Sequence, residues 1–243
     1  MGYMQTATKA ISIKWLFLPW LSLLFTVIVF TVLGVIAQGD PAEALAKAGL
    51  DTATAAFGLI VLGTLLAVAV LGFLLKKNGL GWQAVGLRGT LTPKSVLYAI
   101  LGWSAAMMTF YIVQLSSEAI GLPMFWNENP EFINLDSLQN WILVLIGPVV
   151  IASVAEEIIF RGYVIAALST RFKTTTSVVL SALIFASVHV FFGPGFLLYI
   201  CLAAFVPAYL YLKFGSLYPA MLMHFFNNFF SYIIVPLLFL RLN

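Results

Sequence analysis

Seven apolar stretches of about membrane-spanning length leave this chain of 243 residues few folds to choose from. A helix that crosses a bilayer needs ~20 mostly apolar residues, because backbone groups in lipid must be satisfied within the segment. The stretches run at about Trp15–Ala37, Ala53–Leu75, Ser95–Leu115, Leu138–Leu168, Ser177–Phe192, Phe196–Leu212 and Leu217–Leu240. Only Gly193-Pro194-Gly195 separates the fifth from the sixth, a tight turn that predicts a helical hairpin. Pro148, Pro207, Pro219 and Pro236 lie within or at the ends of spans, where neighbouring helices can re-satisfy the backbone. Charged residues are 9% of the chain, against ~25% in a soluble domain. That excludes a soluble enzyme, a disordered chain and a nucleic-acid binder. The expectation is an all-α polytopic membrane protein with about seven transmembrane helices. It forms one transmembrane domain over residues 1–243: three N-terminal spans and loops over 1–137, then a four-span core over 138–243. The single cysteine, Cys201, allows no intrachain disulfide and reads as a small packing hydrophobe.

The net charge of +3 matters less than its placement. Lys9 and Lys14 precede the first span, and Asp40, Glu43, Lys47 and Asp51 follow it. Lys76, Lys77, Arg88 and Lys94 lie between the second and third spans with no acid among them. Glu118, Glu128, Glu131 and Asp136 follow the third span with no base. Arg171 and Lys173 follow the fourth, Lys213 the sixth, and Arg241 lies near the end of the chain. Basic and acidic loops alternate, apart from Lys47 and Arg241. The positive-inside rule then puts the N-terminus in the cytoplasm and the C-terminus outside. Val35-Ile36-Ala37 resembles a signal-peptidase site, but the apolar run before it exceeds the ~7–15 residues of a signal core, so an uncleaved first span is expected.

Three of the 21 charged residues sit inside a span: Glu156, Glu157 and Arg161. A charge at the bilayer centre costs ~2.5–3.5 kcal/mol on the insertion scale, so such a group is a functional candidate by default. Both histidines, His189 and His224, and the amides Asn227 and Asn228 also fall in spans. Glu157 and Arg161 are four apart and share a helix face, which predicts a structural ion pair. At about 100° per residue, Glu156 points away from both and has no partner on its own helix. His224 and Asn228 are four apart, as are Phe185 and His189, where the phenyl ring can set the imidazole angle. Each histidine taken alone can be no more than an interhelical hydrogen-bond partner. Together with an unpaired carboxylate and an amide, they form a set with chemical use.

A glutamate in an apolar pocket suits general-base work on water. A histidine can orient that water or receive its proton. A second histidine and an amide can donate to a developing oxyanion, worth ~2.7–4 kcal/mol per donor. This is sufficient to hydrolyse an amide without a serine or cysteine nucleophile. One glutamate and two histidines can also bind zinc, although no H-E-x-x-H motif is present. A metal-free mechanism is the first expectation, and a divalent metal such as zinc the alternative.

At these residues the chain resembles the CPBP family: CAAX prenyl proteases, including the Ras-converting endoprotease, and bacterial Abi or bacteriocin-processing proteins. The resemblance rests on Glu156-Glu157-Ile158-Ile159-Phe160-Arg161, then Phe185-x-x-x-His189, then His224-x-x-x-Asn228, in order and at the family's spacing. It covers about residues 138–235, with a weak echo at Gly86-Leu87. It implies an intramembrane glutamic endopeptidase in a conical helix bundle whose cavity opens to the cytosolic side and to lipid. Carried over, Glu156 activates water, His189 assists, and His224 and Asn228 stabilise the oxyanion. Glu157, Arg161 and Phe185 are supporting positions. The implied partners are membrane lipid and a peptide or protein substrate, either prenylated or a small bacterial peptide, with the bacterial plasma membrane as the expected location. A non-catalytic scaffold or bacteriocin-immunity protein of the same fold is the alternative, and a proton-coupled transporter a more distant one. One tension stands: His189 is ~18 Å along the fifth span, whereas His224 is only ~11 Å into the seventh.

Overall fold

The computed structural model describes residues 11–37, 40, 47, 52–126 and 138–242. Lys9, Glu43, Asp51, Glu128, Glu131 and Asp136, which entered the orientation argument, lie outside the described residues. No strand occurs among those described. Among the described residues five helices are long and apolar enough to cross a membrane, Gly58–Lys77, Pro93–Ala119, Asn140–Leu168, Pro194–Phe214 and Tyr218–Leu238, and six if the bent pair Ile13–Trp20 and Leu24–Val35 is one span, against the seven expected. We label the helices α1 (Leu21–Ala37), α2 (Thr52–Lys77), α3 (Pro93–Ala119), α4 (138–168), α5 (Thr174–Ser187), α6 (Pro194–Phe214) and α7 (218–242). Apolar side chains also cover the outer faces, including Leu62 and Phe73 on α2 and Met108 and Ile112 on α3. Helices apolar on both faces belong in lipid. The protein is a polytopic helical membrane protein.

The first and fifth expected spans differ from simple rods. Short 3₁₀ turns at Ile13–Trp15 and Leu18–Trp20 precede α1, and the chain bends by 50° between Ile13–Trp20 and Leu24–Val35. Pro19 sits at the start of its turn, where its missing N–H costs nothing. The fifth helix has 14 residues and ends at Ser187, not at Phe192. At 1.5 Å per residue it is ~21 Å long, short of the ~30 Å hydrocarbon core. Residues 188–192 form turns instead. Gly193 has a positive φ of 140° and precedes Pro194, which disfavours a helical residue before it. A Cβ at Gly193 would lie 2.5 Å from the Phe125 Cα, so this corner needs glycine twice over.

α4 is wound partly as π-helix, over Leu145–Ala152 and again over Glu157–Val164. Pro148 lies in the first of these; it offers no N–H, and its ring crowds the carbonyl four residues back. A wider turn relieves that crowding. α6 breaks at Ala204, three residues before Pro207, for a related reason. α7 has its own π turn at Phe230–Ile234.

The end of the bundle that carries the basic loops is closed by a dense apolar floor. A 3₁₀ turn, Trp82–Val85, tucks beneath α4 and is joined to the start of α7 by Leu217 N–H donating to the Gly86 carbonyl at 2.9 Å. Arg88 Nε donates to the Gly215 carbonyl at 2.8 Å. Val85, Val164 and Leu217 are fully buried there, with Leu71, Tyr163 and Tyr211 nearly so. Gly162 makes this packing possible: a Cβ would meet the Val85 carbonyl oxygen and come within 3.1 Å of Leu217. Gly162→Ala is therefore expected to cost ~1–3 kcal/mol by overpacking. Gly58→Ala, where a Cβ meets nothing within 4 Å, should show no such loss. Thermal unfolding of both variants in detergent checks this.

Candidate active site

The residues singled out in the sequence come from α4, the α5–α6 turn and α7, and most of them meet. Glu157 and Arg161 pair at 3.0 Å and are essentially buried, as their spacing predicts. Arg161 is further held by the Ala204 carbonyl at 3.3 Å and lies 4.4 Å over the Phe185 ring. The broken turn of α6 and an aromatic face thus complete its surroundings. Glu157 has a second partner, the His224 Nδ1 at 2.8 Å from its Oε1. With a carboxylate there, Nδ1–H donates, and Nε2 is the atom left to face the centre.

Glu156 lacks a partner on its own helix, as expected, but not in the fold. Its Oε2 is 3.8 Å from His224 Nε2, too long for a hydrogen bond but within ion-pair range. The side chain keeps 17% exposure, against none for Glu157, so two adjacent glutamates have opposite environments. Glu156, His224 and Arg161 all lie close enough to His189 to interact with it electrostatically.

His189 stands just past the end of α5, not within a helix. Its ring packs on Phe185 with centroids 4.8 Å apart, and Nδ1 lies 2.8 Å from the Phe185 carbonyl oxygen. A carbonyl can only accept, so Nδ1 carries the hydrogen and Nε2 is the free nitrogen of the neutral ring. Phe185 packs on both histidines, with its centroid 6.4 Å from that of His224.

Asn228 is buried one turn beyond His224 and reaches α4 at a different level. Its amide donates to the Pro148 carbonyl at 2.8 Å and lies at the 3.5 Å limit from Ser153 Oγ. One hydrogen of that amide clamps the π turn, and the other is held loosely. Sequence reasoning missed Ser153, Tyr199 and Tyr232. Tyr199 O–H donates to the side-chain Oδ1 of Asn227 at 3.1 Å, so Asn227 faces α6 and not the carboxylates. Tyr232 lies within electrostatic reach of Glu156. The spacing 224, 228, 232 could have drawn attention to it; nothing in the sequence marks Tyr199.

The mismatch in depth between the two histidines is resolved by the floor. Counted from Leu168, Gly162 is six and Glu156 twelve residues along α4, a stretch that the π winding makes shorter than the ~18 Å of a pure α-helix. Leu217 packs at the level of Gly162, so α7 starts no more than ~9 Å above the end of α4, and His224 stands ~9 Å higher again. Ser187, at the top of α5, is ~20 Å from Thr174. The 3₁₀ turn beneath α7 thus raises its histidine to the level of the other groups.

Among the described residues, no group of three or more His, Cys, Asp or Glu is arranged to hold a metal ion. Both Nδ1 atoms are engaged, with the Phe185 carbonyl and with Glu157.

A carboxylate–histidine centre sunk between the spans of a helical membrane protein is a set of groups that can act on a peptide bond. Residues 138–230 match the family model described as type II CAAX prenyl endopeptidase Rce1-like. That stretch includes all the site residues, and over it the chain is similar to the CAAX-endopeptidase group. No curated protein and no solved structure matches the chain.

Proposed function

We propose that the protein is a glutamic endopeptidase that hydrolyses a peptide bond within the membrane without a metal. The observation that carries this reading is the contrast between the two glutamates. Glu157 is sealed in an ion pair with Arg161, whereas Glu156 is partly exposed, faces His224 Nε2 and lies near His189. Glu156 takes a proton from water as the water oxygen attacks the scissile carbonyl carbon. His189, with Nε2 free, orients that water or shares its proton. The C–N bond then breaks, and the proton passes to the leaving nitrogen.

The oxyanion needs donors. His224 Nε2 donates when the ring carries both hydrogens, and carboxylate oxygens lie 2.8 and 3.8 Å from its two nitrogens. Asn228 supplies its loosely held amide hydrogen. Phe185 holds both rings at their angles, and Glu157 and Arg161 hold His224. The substrate is a membrane-associated peptide or protein segment, prenylated or not, and the enzyme sits in a bacterial plasma membrane. Lys76, Lys77, Arg88, Lys94, Arg171, Lys173 and Lys213 lie on one face, the cytoplasmic one, which makes the N-terminus cytoplasmic.

The test is cleavage of a peptide pool, prenylated and unprenylated, by purified protein in nanodiscs, with products read by mass spectrometry. Products are expected from wild type with and without a chelator. Loss on chelation would replace the metal-free mechanism with a metal-assisted one. No product from any pool would favour the scaffold.

A further inference from the structure

We infer that the protein binds the phosphate of an anionic phospholipid at a site built around Lys213, where the start of α3 meets the end of α6. Lys213 is exposed, yet its ammonium has a fixed place. Nζ donates to the Tyr209 hydroxyl oxygen at 2.9 Å and lies 4.5 Å from the centroid of the Tyr98 ring, a cation–π distance. Tyr98 is braced in turn by Phe214, edge to face, with centroids 5.6 Å apart. An exposed lysine ordinarily swings on a flexible four-carbon stem; this one is held between side chains of two helices. Among the described residues no carboxylate pairs with it. The ammonium keeps further hydrogens to donate, and the Tyr209 hydroxyl, while accepting from Lys213, keeps its own. Those donors suit the oxygens of a phosphate.

Two further cations flank the same corner. Lys94 is exposed one turn before Tyr98, on the same face of α3. Arg88 is tied through Nε to the Gly215 carbonyl at 2.8 Å, two residues beyond Lys213. The acid of α3, Glu118, lies at the other end of that helix, ~36 Å away. The surface leading away from the corner marks the ligand as a lipid and not a free phosphate. On α6, Lys213, Tyr209 and Phe205 follow one another at four-residue spacing, all exposed, from cation through phenol to hydrocarbon ring. On α3, Lys94 gives way to exposed Leu97 and Leu101. The two helices pack side by side through Ala99, Ala106, Ala203 and Leu210. Both stripes pass from charge to hydrocarbon within ~12 Å, the same transition a phospholipid makes between its headgroup and its acyl chains. Tyrosine is at home at that boundary, and clustered lysine and arginine beside it attract anionic headgroups.

The site stands apart from catalysis and is tested without it. The full chain in a non-ionic detergent is titrated with phosphatidylglycerol, with phosphatidylcholine and with glycerol 3-phosphate, and bound lipid is read by native mass spectrometry. Phosphatidylglycerol is expected to be retained more tightly than phosphatidylcholine, and glycerol 3-phosphate to displace it poorly. Lys213→Gln is expected to weaken its retention about fivefold, and Lys94→Gln by a similar factor. Lys76→Gln, which removes the same charge from the end of α2, is expected to leave retention unchanged. Unfolding temperature in lipid-free detergent shows that each variant is folded. Unchanged retention in Lys213→Gln, or in Lys94→Gln should the first not fold, overturns the inference. So does equal retention of the two lipids by wild type. An equal loss in Lys76→Gln also overturns it, because the attraction is then to net charge and not to a site. Displacement by glycerol 3-phosphate at matched concentration makes the ligand a free phosphate and overturns the lipid assignment.

Discussion

Glu156→Gln is expected to lower kcat/KM for peptide hydrolysis by about 10²–10⁴-fold, the range attributed to a positioned general base. The substitution keeps the shape of the side chain and removes only its capacity to take a proton. Glu156 is partly exposed and its approach to His224, at 3.8 Å, is too long for a hydrogen bond, so unfolding in detergent should occur at nearly the wild-type temperature. Loss of rate with retained stability is the signature of a reacting group. A variant that keeps more than about a tenth of the wild-type rate would remove Glu156 from the chemistry.

Arg161→Ala should do the reverse: unfold the protein before it tells anything about the reaction. Breaking a buried ion pair from one side leaves the other charge unpaired, at a cost of about 3–5 kcal/mol. Here Glu157 would stay fully buried with only His224 for company, and Phe185 and the Ala204 carbonyl would each lose their contact with the guanidinium. Equilibrium unfolding in mixed micelles should show this loss. The double variant Glu157→Leu/Arg161→Leu removes both charges and is expected to recover much of the stability, because apolar replacement of a buried pair is often neutral or better. It should still be inactive, since His224 Nδ1 loses its acceptor and the ring its orientation. Recovery of activity in the double variant would show that Glu157 does not position His224.

These two neighbours show how far a sequence can be read and where it stops. The i,i+4 spacing was enough to pair Glu157 with Arg161 and to single out Glu156, because both statements concern one helix. The pair survives even though α4 is wound there as π-helix. That His224 closes on both glutamates concerns residues 67 positions apart, and no local rule reaches that distance. The same holds for Asn228, whose spacing from His224 placed both on one face, while the proline-driven π turn of α4 decided that its amide meets the Pro148 carbonyl.

The sequence by itself determined that the chain is a helical membrane protein and which apolar segments carry the polar groups. Those properties follow from hydropathy, charge and the 3.6-residue period, all of them local. Only the tertiary structure decided the levels of the helices: α5 stops short at a glycine–proline corner, and a 3₁₀ turn wedged under Gly162 lifts the start of α7. Helix ends are set by what packs beneath them, and so the height at which three separate segments bring one glutamate and two histidines together could not be read from any of the three alone.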